Sequence, residues 1–394
     1  MSDEAWRWFV ALDGGDMDGF TGGAGLMRLQ WPSRAVDHRF YDGVSGGHNV
    51  SISPNGRLLM LGNLSQQLVA IDTQTLEIVR RASTMRIEES DYRLRANTHH
   101  LWIDDHSFIA AVGDHLYQFD IDRLDEPKKL GAHRLWTAHE LRWSHQKRYI
   151  IMGDLGPERS GARQLGIFDR EKPGEARIIK LPGAVWHVCT HPTKNLAYAA
   201  TYSIAGEEDN DYIHWSPAYV REYVFEIDLE QGVVTRVFSA GAEFPIHLNS
   251  DIEVYQDKLY VASGGSHTVV ELDLGDFATT RVLTVVPGPW SRLKSFRQGC
   301  RNLMGGFLRK SFFQGTHLIL QAYLVSGGRT FDGVYAARVS PDGRYLCAGN
   351  RGYNYLRVVD RATLGTVYEA DLPKLPNGLH LGLHHSEMLA GGMS

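Results

Sequence analysis

The chain has 394 residues, of which 43% are hydrophobic and 22% charged, an ordinary globular balance with enough apolar mass for a large core. Lys plus Arg (41) against Asp plus Glu (46) leaves a formal charge of −5, which speaks against an electrostatic nucleic-acid binder, since such proteins carry a basic excess or stripe. Three cysteines, Cys189, Cys300 and Cys347, are too few and too scattered for a disulfide framework or a Cys-rich zinc site.

Residues 1–8 lack the basic region and apolar core of a signal peptide, and no run of about 18 apolar residues follows, so a cytoplasmic protein without a membrane span is expected. From there the chain repeats one unit: a short apolar strand ending in small residues, a few polar residues, then a second strand ending in Asp. Residues 58–62 lead to 68–72, 108–113 to 116–120, 149–153 to 164–169, 196–201 to 223–228, 259–264 to 268–273, and 345–349 to 355–360. A seventh copy is split between the ends. Residues 388–392 read as its first strand and 6–13 as its second, so the C-terminus completes a unit begun at the N-terminus.

Alternating apolar residues, β-branched and aromatic enrichment and turn residues between the runs all predict strands. Each unit has room for two more strands, and four strands in about 40 to 50 residues is the period of a propeller blade. Ser53-Pro54-Asn55-Gly56-Arg57 and Ser340-Pro341-Asp342-Gly343-Arg344 mark tight turns between the first two strands of their blades. The predicted fold is an all-β, seven-bladed β-propeller in a single domain spanning 1–394, closed by pairing of N- and C-terminal strands in one blade. These turns, with the apolar strands ending in Asp, resemble those of the lactonase-like propellers. That superfamily includes lactonases, lyases, oxidases and pure binding scaffolds, so the resemblance implies the fold and leaves the function to the site.

Two segments do not fit a blade: 203–220, inside the fourth unit, and 285–330, between the fifth and sixth. Loops of that length are uncommon unless functional, which makes both candidate lids over one face, with decoration or an oligomer contact as the other readings.

The 18 histidines are an unusual count. Placed against the repeat, His48 opens the inner strand of the first blade, His99 and His100 that of the second, His139 the third, His187 the fourth, His247 the fifth and His380 the seventh; the sixth offers Asp332 or Tyr335. Inner strands of a propeller run parallel around its axis, so equivalent positions form a ring at one mouth. Converging neutral imidazoles bind iron, copper, zinc or manganese well, and three or four with an open position make a catalytic arrangement. The predicted ligands are His48, His100, His139, His187, His247 and His380, with the choice between His99 and His100 left open. Glu140, Tyr335 and Arg329 are the candidate acid–base and anion-holding groups. Alternation along a strand puts Glu140 on the face opposite His139, where it would support a neighbouring blade. The same rule allows at most one of His384 and His385 to join a site.

Other readings of the ring stand beside this one: a metal-free anion site, or structural histidines that hydrogen-bond buried Asp residues as in WD-repeat propellers. An all-His set without an obvious carboxylate leans toward iron or copper, hence an oxidase or oxygenase acting on a small molecule. The carotenoid-cleaving oxygenases and selenium-binding methanethiol oxidases look similar in placing His ligands at a propeller axis. Oligogalacturonate lyases are a further distant likeness, which implies a manganese- or zinc-dependent lyase or isomerase as the alternative.

Overall fold

The structure is a computed structural model and describes residues 4–12, 23–85, 87, 99–154, 156, 162–174, 176–183, 185–201, 223–239, 249–263, 268–284, 334–350, 355–373 and 383–391. The candidate lids, and with them Arg329, lie outside the described residues, as do His247 and His380. Strands β1–β28 form seven antiparallel four-stranded sheets. These are the blades of a β-propeller. The inner strands are β4 (Val50–Ile52), β8 (His100–Trp102), β12 (Ala138–Trp143), β16 (Val188–Thr190), β20 (Asn249–Tyr255), β24 (Val334–Val339) and β28 (Leu383–Ala390), for the first to seventh blades.

The seventh blade reads β28, β1 (Trp6–Leu12), β2 (Gly23–Trp31), β3 (Ala35–Ser45) from axis to rim. Termini that share a blade avoid a long exposed sheet edge. The split differs from the sequence expectation by one strand. The C-terminal strand is the innermost one, not the second, because it pairs with β1 alone, Trp6 opposite Ala390 and Ala11 opposite His385. His384 and His385 therefore stand on an inner strand.

Packing follows from the strand period of two. On β1, Trp6, Trp8, Val10 and Leu12 pack against Ala336, Tyr345 and Leu356 of the sixth blade, while Phe9 and Ala11 pack against Val50 and Leu59 of the first. Every blade is thus buried on both faces, which is why the repeated strands read as nearly continuous apolar runs. The repeated terminal Asp has a local role. Asp72 Oδ1 accepts the N–H groups of Gln74 and Thr75, Asp273 Oδ1 those of Gly275 and Asp276, and Asp360 Oδ1 those of Ala362 and Thr363, so each caps the turn into the outermost strand.

Four inner strands carry a β-bulge at the same place, between His139 and Leu141, Asn249 and Asp251, Val334 and Ala336, and, against β1, between Leu383 and His385. A bulge inserts one residue and re-aims side chains. Just beyond the first of these, Gly153 on β13 (Tyr149–Asp154) lets the fourth blade approach: a Cβ there would lie 2.0 Å from the Trp186 carbonyl oxygen. Gly153→Ala should therefore lower stability by roughly 1–3 kcal/mol in denaturant unfolding, the usual cost of overpacking. Gly174→Ala, where nothing lies within 4 Å of the added Cβ, should leave it nearly unchanged.

Candidate metal centre

His48, His99 and His139 come from three consecutive blades, are all buried, and offer ring nitrogens that lie within 4.8 Å of one another. The Nε2 atoms of His48 and His139 are 2.6 Å apart, and those of His99 and His139 are 3.2 Å apart. Ring centroids are separated by 4.9 Å, 4.3 Å and, for His48 and His99, 5.3 Å, with the planes nearly perpendicular. Nitrogens each about 2.0–2.1 Å from one ion lie roughly 3 Å apart, so the three rings need only small adjustments to share a cation.

Protonation favours the same use. His139 Nδ1–H donates to the Trp186 carbonyl at 3.0 Å, which fixes the tautomer and turns the Nε2 lone pair toward the other two rings. Burial holds the His99 pKa well below its ordinary value, with His139, His48, His385 and His187 adding to the effect. One lone pair facing two further ring nitrogens is an arrangement that a single cation satisfies better than a single proton. The residues present therefore fit a metal ion.

A second layer lies directly against the triad. Glu140, buried, accepts from His187 Nδ1–H at 2.6 Å, pairs with Arg142 and lies 3.9 Å from His385 Nε2. Arg338 pairs with Asp251 and donates to His385 Nε2 at 2.9 Å; Arg142 approaches the same nitrogen at 3.4 Å. Only side chains directed at the axis can join the third blade to the seventh in this way. Neighbouring inner strands are clipped together by the same groups: Asp251 accepts Ala337 N–H, Glu253 accepts Val339 N–H, and Glu387 accepts Ile52 N–H.

The charges shift accordingly. Burial alone would raise the Glu140 pKa, but Arg142 and then His187 hold it well below the carboxylate range. Burial dominates at Glu253 and Glu387, each raised to about 7 against the pull of nearby arginines. Burial also raises Asp251, with Arg338 opposing, and depresses His385, with Arg338 adding to that effect.

Of the residues named from sequence, the structure brings His48 and His139 together with His99. His100 is a correction: it faces the opposite way, its ring 5.5 Å from Phe108 inside the blade packing, where burial pushes its pKa down to about 3. Neighbouring residues on a strand point to opposite sides, so only one of the pair can reach the axis. His187 lies 5.1 Å from His139 between ring centroids but is engaged by Glu140. Glu140 is the second correction. It is the inserted residue of the bulge, with φ of +46°, so it faces the axis together with His139 rather than opposite it, and it does bond the next blade. Tyr335 is also a bulge residue and stands 6.0 Å from His384.

Arg142, Arg338 and Glu253 were not anticipated, and His385 only as one of a pair of which at most one could join a site. Their signal was a charged residue two places beyond another polar one on a strand that should be apolar on both faces: Glu140 and Arg142, Asp251 and Glu253, His385 and Glu387.

No family model matches the chain, and no curated protein matches it. Among solved structures it is similar to a chain from a crystal structure of a nidogen/laminin complex, with a TM-score of 0.51 and 8% identity over 98% of this chain and 100% of that one. At that identity the likeness shows the propeller fold alone. Among the described residues no helix is long and apolar enough to cross a membrane.

Glu140→Gln should cost roughly 3 kcal/mol of stability, the lower end for breaking a buried pair, because the Arg142 side chain keeps 28% exposure to solvent. For Glu253 the folded pKa of about 7 lies above the ordinary 4.5, so its ionisation penalises the native state progressively between these values. The stability of Glu253→Gln relative to the unsubstituted protein should therefore rise as pH increases from 4.5 to 7 and level off above, as read from denaturant midpoints across that range.

Proposed function

We propose that this chain is a metal-dependent enzyme acting on a small molecule at the His48–His99–His139 centre. The convergence of three buried imidazoles from three blades, all within 4.8 Å, carries the reading. Three protein donors leave a position open for a substrate or water, as catalytic sites do and closed structural sites do not. An all-nitrogen set suits iron, copper or zinc better than magnesium or calcium, and without a carboxylate among the three we favour iron or copper and an oxidase or oxygenase reaction. When bound, such an ion supplies Lewis acidity and a route for electrons to oxygen.

The chain's own groups have definable parts in this reading. Trp186 keeps His139 in the ligating tautomer. Glu140 holds His187 through Nδ1–H, which leaves His187 Nε2 able to accept a proton beside the centre. Arg142, Arg338 and Asp251 connect to His385, whose ring lies 5.8 Å from that of His99, and so set the charge beside the triad. The likeness to lactonase-like propellers and to those with axial His ligands agrees with this use of the fold. A second reading, a manganese- or zinc-dependent lyase or isomerase on an anionic substrate, is favoured by the Glu140–His187 pair and by the part-exposed Arg142.

Elemental analysis of untagged protein is the test. Near-stoichiometric iron or copper, lost in His99→Ala and His139→Ala while circular dichroism is unchanged, is expected, together with an electron paramagnetic resonance signal that alters when air is admitted to the reduced protein. Zinc or manganese, inert to air, would favour the second reading. Absence of metal after anaerobic reconstitution would overturn both.

A further inference from the structure

We infer that Trp136 and Trp186 form an aromatic seat beside His139 that positions an uncharged aromatic ring of the substrate at the metal centre. The inference rests on the centre proposed above and names the class of molecule it takes.

Trp136 is the one exposed tryptophan, tyrosine or phenylalanine among the described residues, at 51%. The loop that presents it is fixed by buried groups. His133, fully buried, donates from Nε2 to the Gly113 carbonyl at 2.9 Å and accepts Leu135 N–H at Nδ1 at 3.1 Å. Asp154, also fully buried, accepts Trp136 N–H at 3.1 Å and Thr137 N–H at 2.9 Å, and is itself held by Gly156 N–H and the Gln164 amide. Leu135 and Thr137, on either side of Trp136, are buried. Arg134 takes φ of +60°, a backbone state that L-residues rarely adopt and that persists only where the surroundings over-determine it. A loop fixed this firmly gives the indole no route into the core, so its ring is a preformed apolar surface.

The same strand end carries the second indole. Asp154 N–H donates to the Val185 carbonyl at 3.0 Å, and Gly153 lies against the Trp186 carbonyl, the group to which His139 Nδ1–H donates. Across β12 and β13, Ala138 pairs with Asp154 and His139 with Gly153. The Trp186 side chain is part-exposed, with its ring 6.1 Å from that of His139. Both tryptophans and the ligating His139 are thus anchored at one point, Gly153–Asp154.

Indole faces favour flat π systems, and small-molecule sites are mostly apolar with a few placed polar groups. The axial cations are already engaged, Arg142 with Glu140 and Arg338 with Asp251. An ionised ligand would leave water for ring faces without a counter-charge from that layer. Arg134 is the charged neighbour within the loop, so the test includes an anionic probe.

The experiment uses the full chain loaded with Co2+, and benzamide, benzoate and cyclohexanecarboxamide as probes observed by ligand proton NMR. Benzamide should show saturation transfer and, because Co2+ is paramagnetic, faster ring-proton relaxation than with Zn2+-loaded protein. The other two should bind more weakly by about tenfold or more. Trp136→Ala should weaken benzamide binding about tenfold, and Trp136→Phe should recover most of the loss. Neither variant should alter Co2+ affinity or circular dichroism, since Trp136 is exposed and the ion is held by histidines. Benzoate or cyclohexanecarboxamide binding as tightly as benzamide, no benzamide binding, or binding unchanged in Trp136→Ala would overturn the aromatic seat, while Co2+ uptake leaves the centre standing. Failure to take up Co2+ would remove the centre and the seat's part in it together.

Discussion

Charge buried at the propeller axis is the constraint on which the rest depends. Inner strands deliver side chains into one volume, and a polar group buried there finds its partners on the other strands. Glu140 shows the outcome most plainly: its carboxylate is 1% exposed and is compensated by His187 from the next blade and by Arg142 from its own strand, with His385 at 3.9 Å from the far side of the ring. Breaking a buried pair costs more than never having made one, so each member of the layer fixes the others. The triad is positioned by that framework as much as by its own strands, since His139 and Glu140 are adjacent and His187 touches both neighbourhoods.

The layer also explains the directions of the proton equilibria. At Glu140 the pull of Arg142 and His187 wins over burial; at Glu253 and Glu387 burial wins and the carboxyl is raised to about 7, and burial likewise raises Asp251 although Arg338 contacts it. Burial lowers the pKa of His99 and of His385, with neighbouring imidazoles adding to the effect at the first and Arg338 at the second. A site poor in protons and rich in ring nitrogens suits a soft or borderline divalent cation.

Much of this was legible in the chain. The second and third strands of six blades were readable to within a residue at most ends, because their apolar runs are buried on both faces and their last residue is an Asp that caps a turn. The approach of His48 and His139 to one another was legible because inner strands begin at equivalent points. What escaped was local geometry. The bulge at Glu140 cancels the alternation that placed it opposite His139, and nothing in the run Ala138-His139-Glu140-Leu141 announces φ of +46° at a glutamate. The one-strand shift in the seventh blade arose because a stretch of apolar and small residues looks alike whether it lies innermost or second, while alternation allowed at most one of His384 and His385 a place at the site.

The sequence by itself determined the repeat, the number of blades, the shared terminal blade and the concentration of imidazole at one end of the inner strands, since each follows from periodicity and composition. Only the tertiary structure decided that His99 rather than His100 meets His48 and His139, that Glu140 faces the axis, and that arginines from the third and sixth blades and carboxylates from the third, fifth and seventh compensate one another there. Those choices depend on bulge position and on distances between residues up to 336 places apart, such as Asn49 and His385. Periodicity within a strand carries no information about what a strand six blades away presents to the same volume.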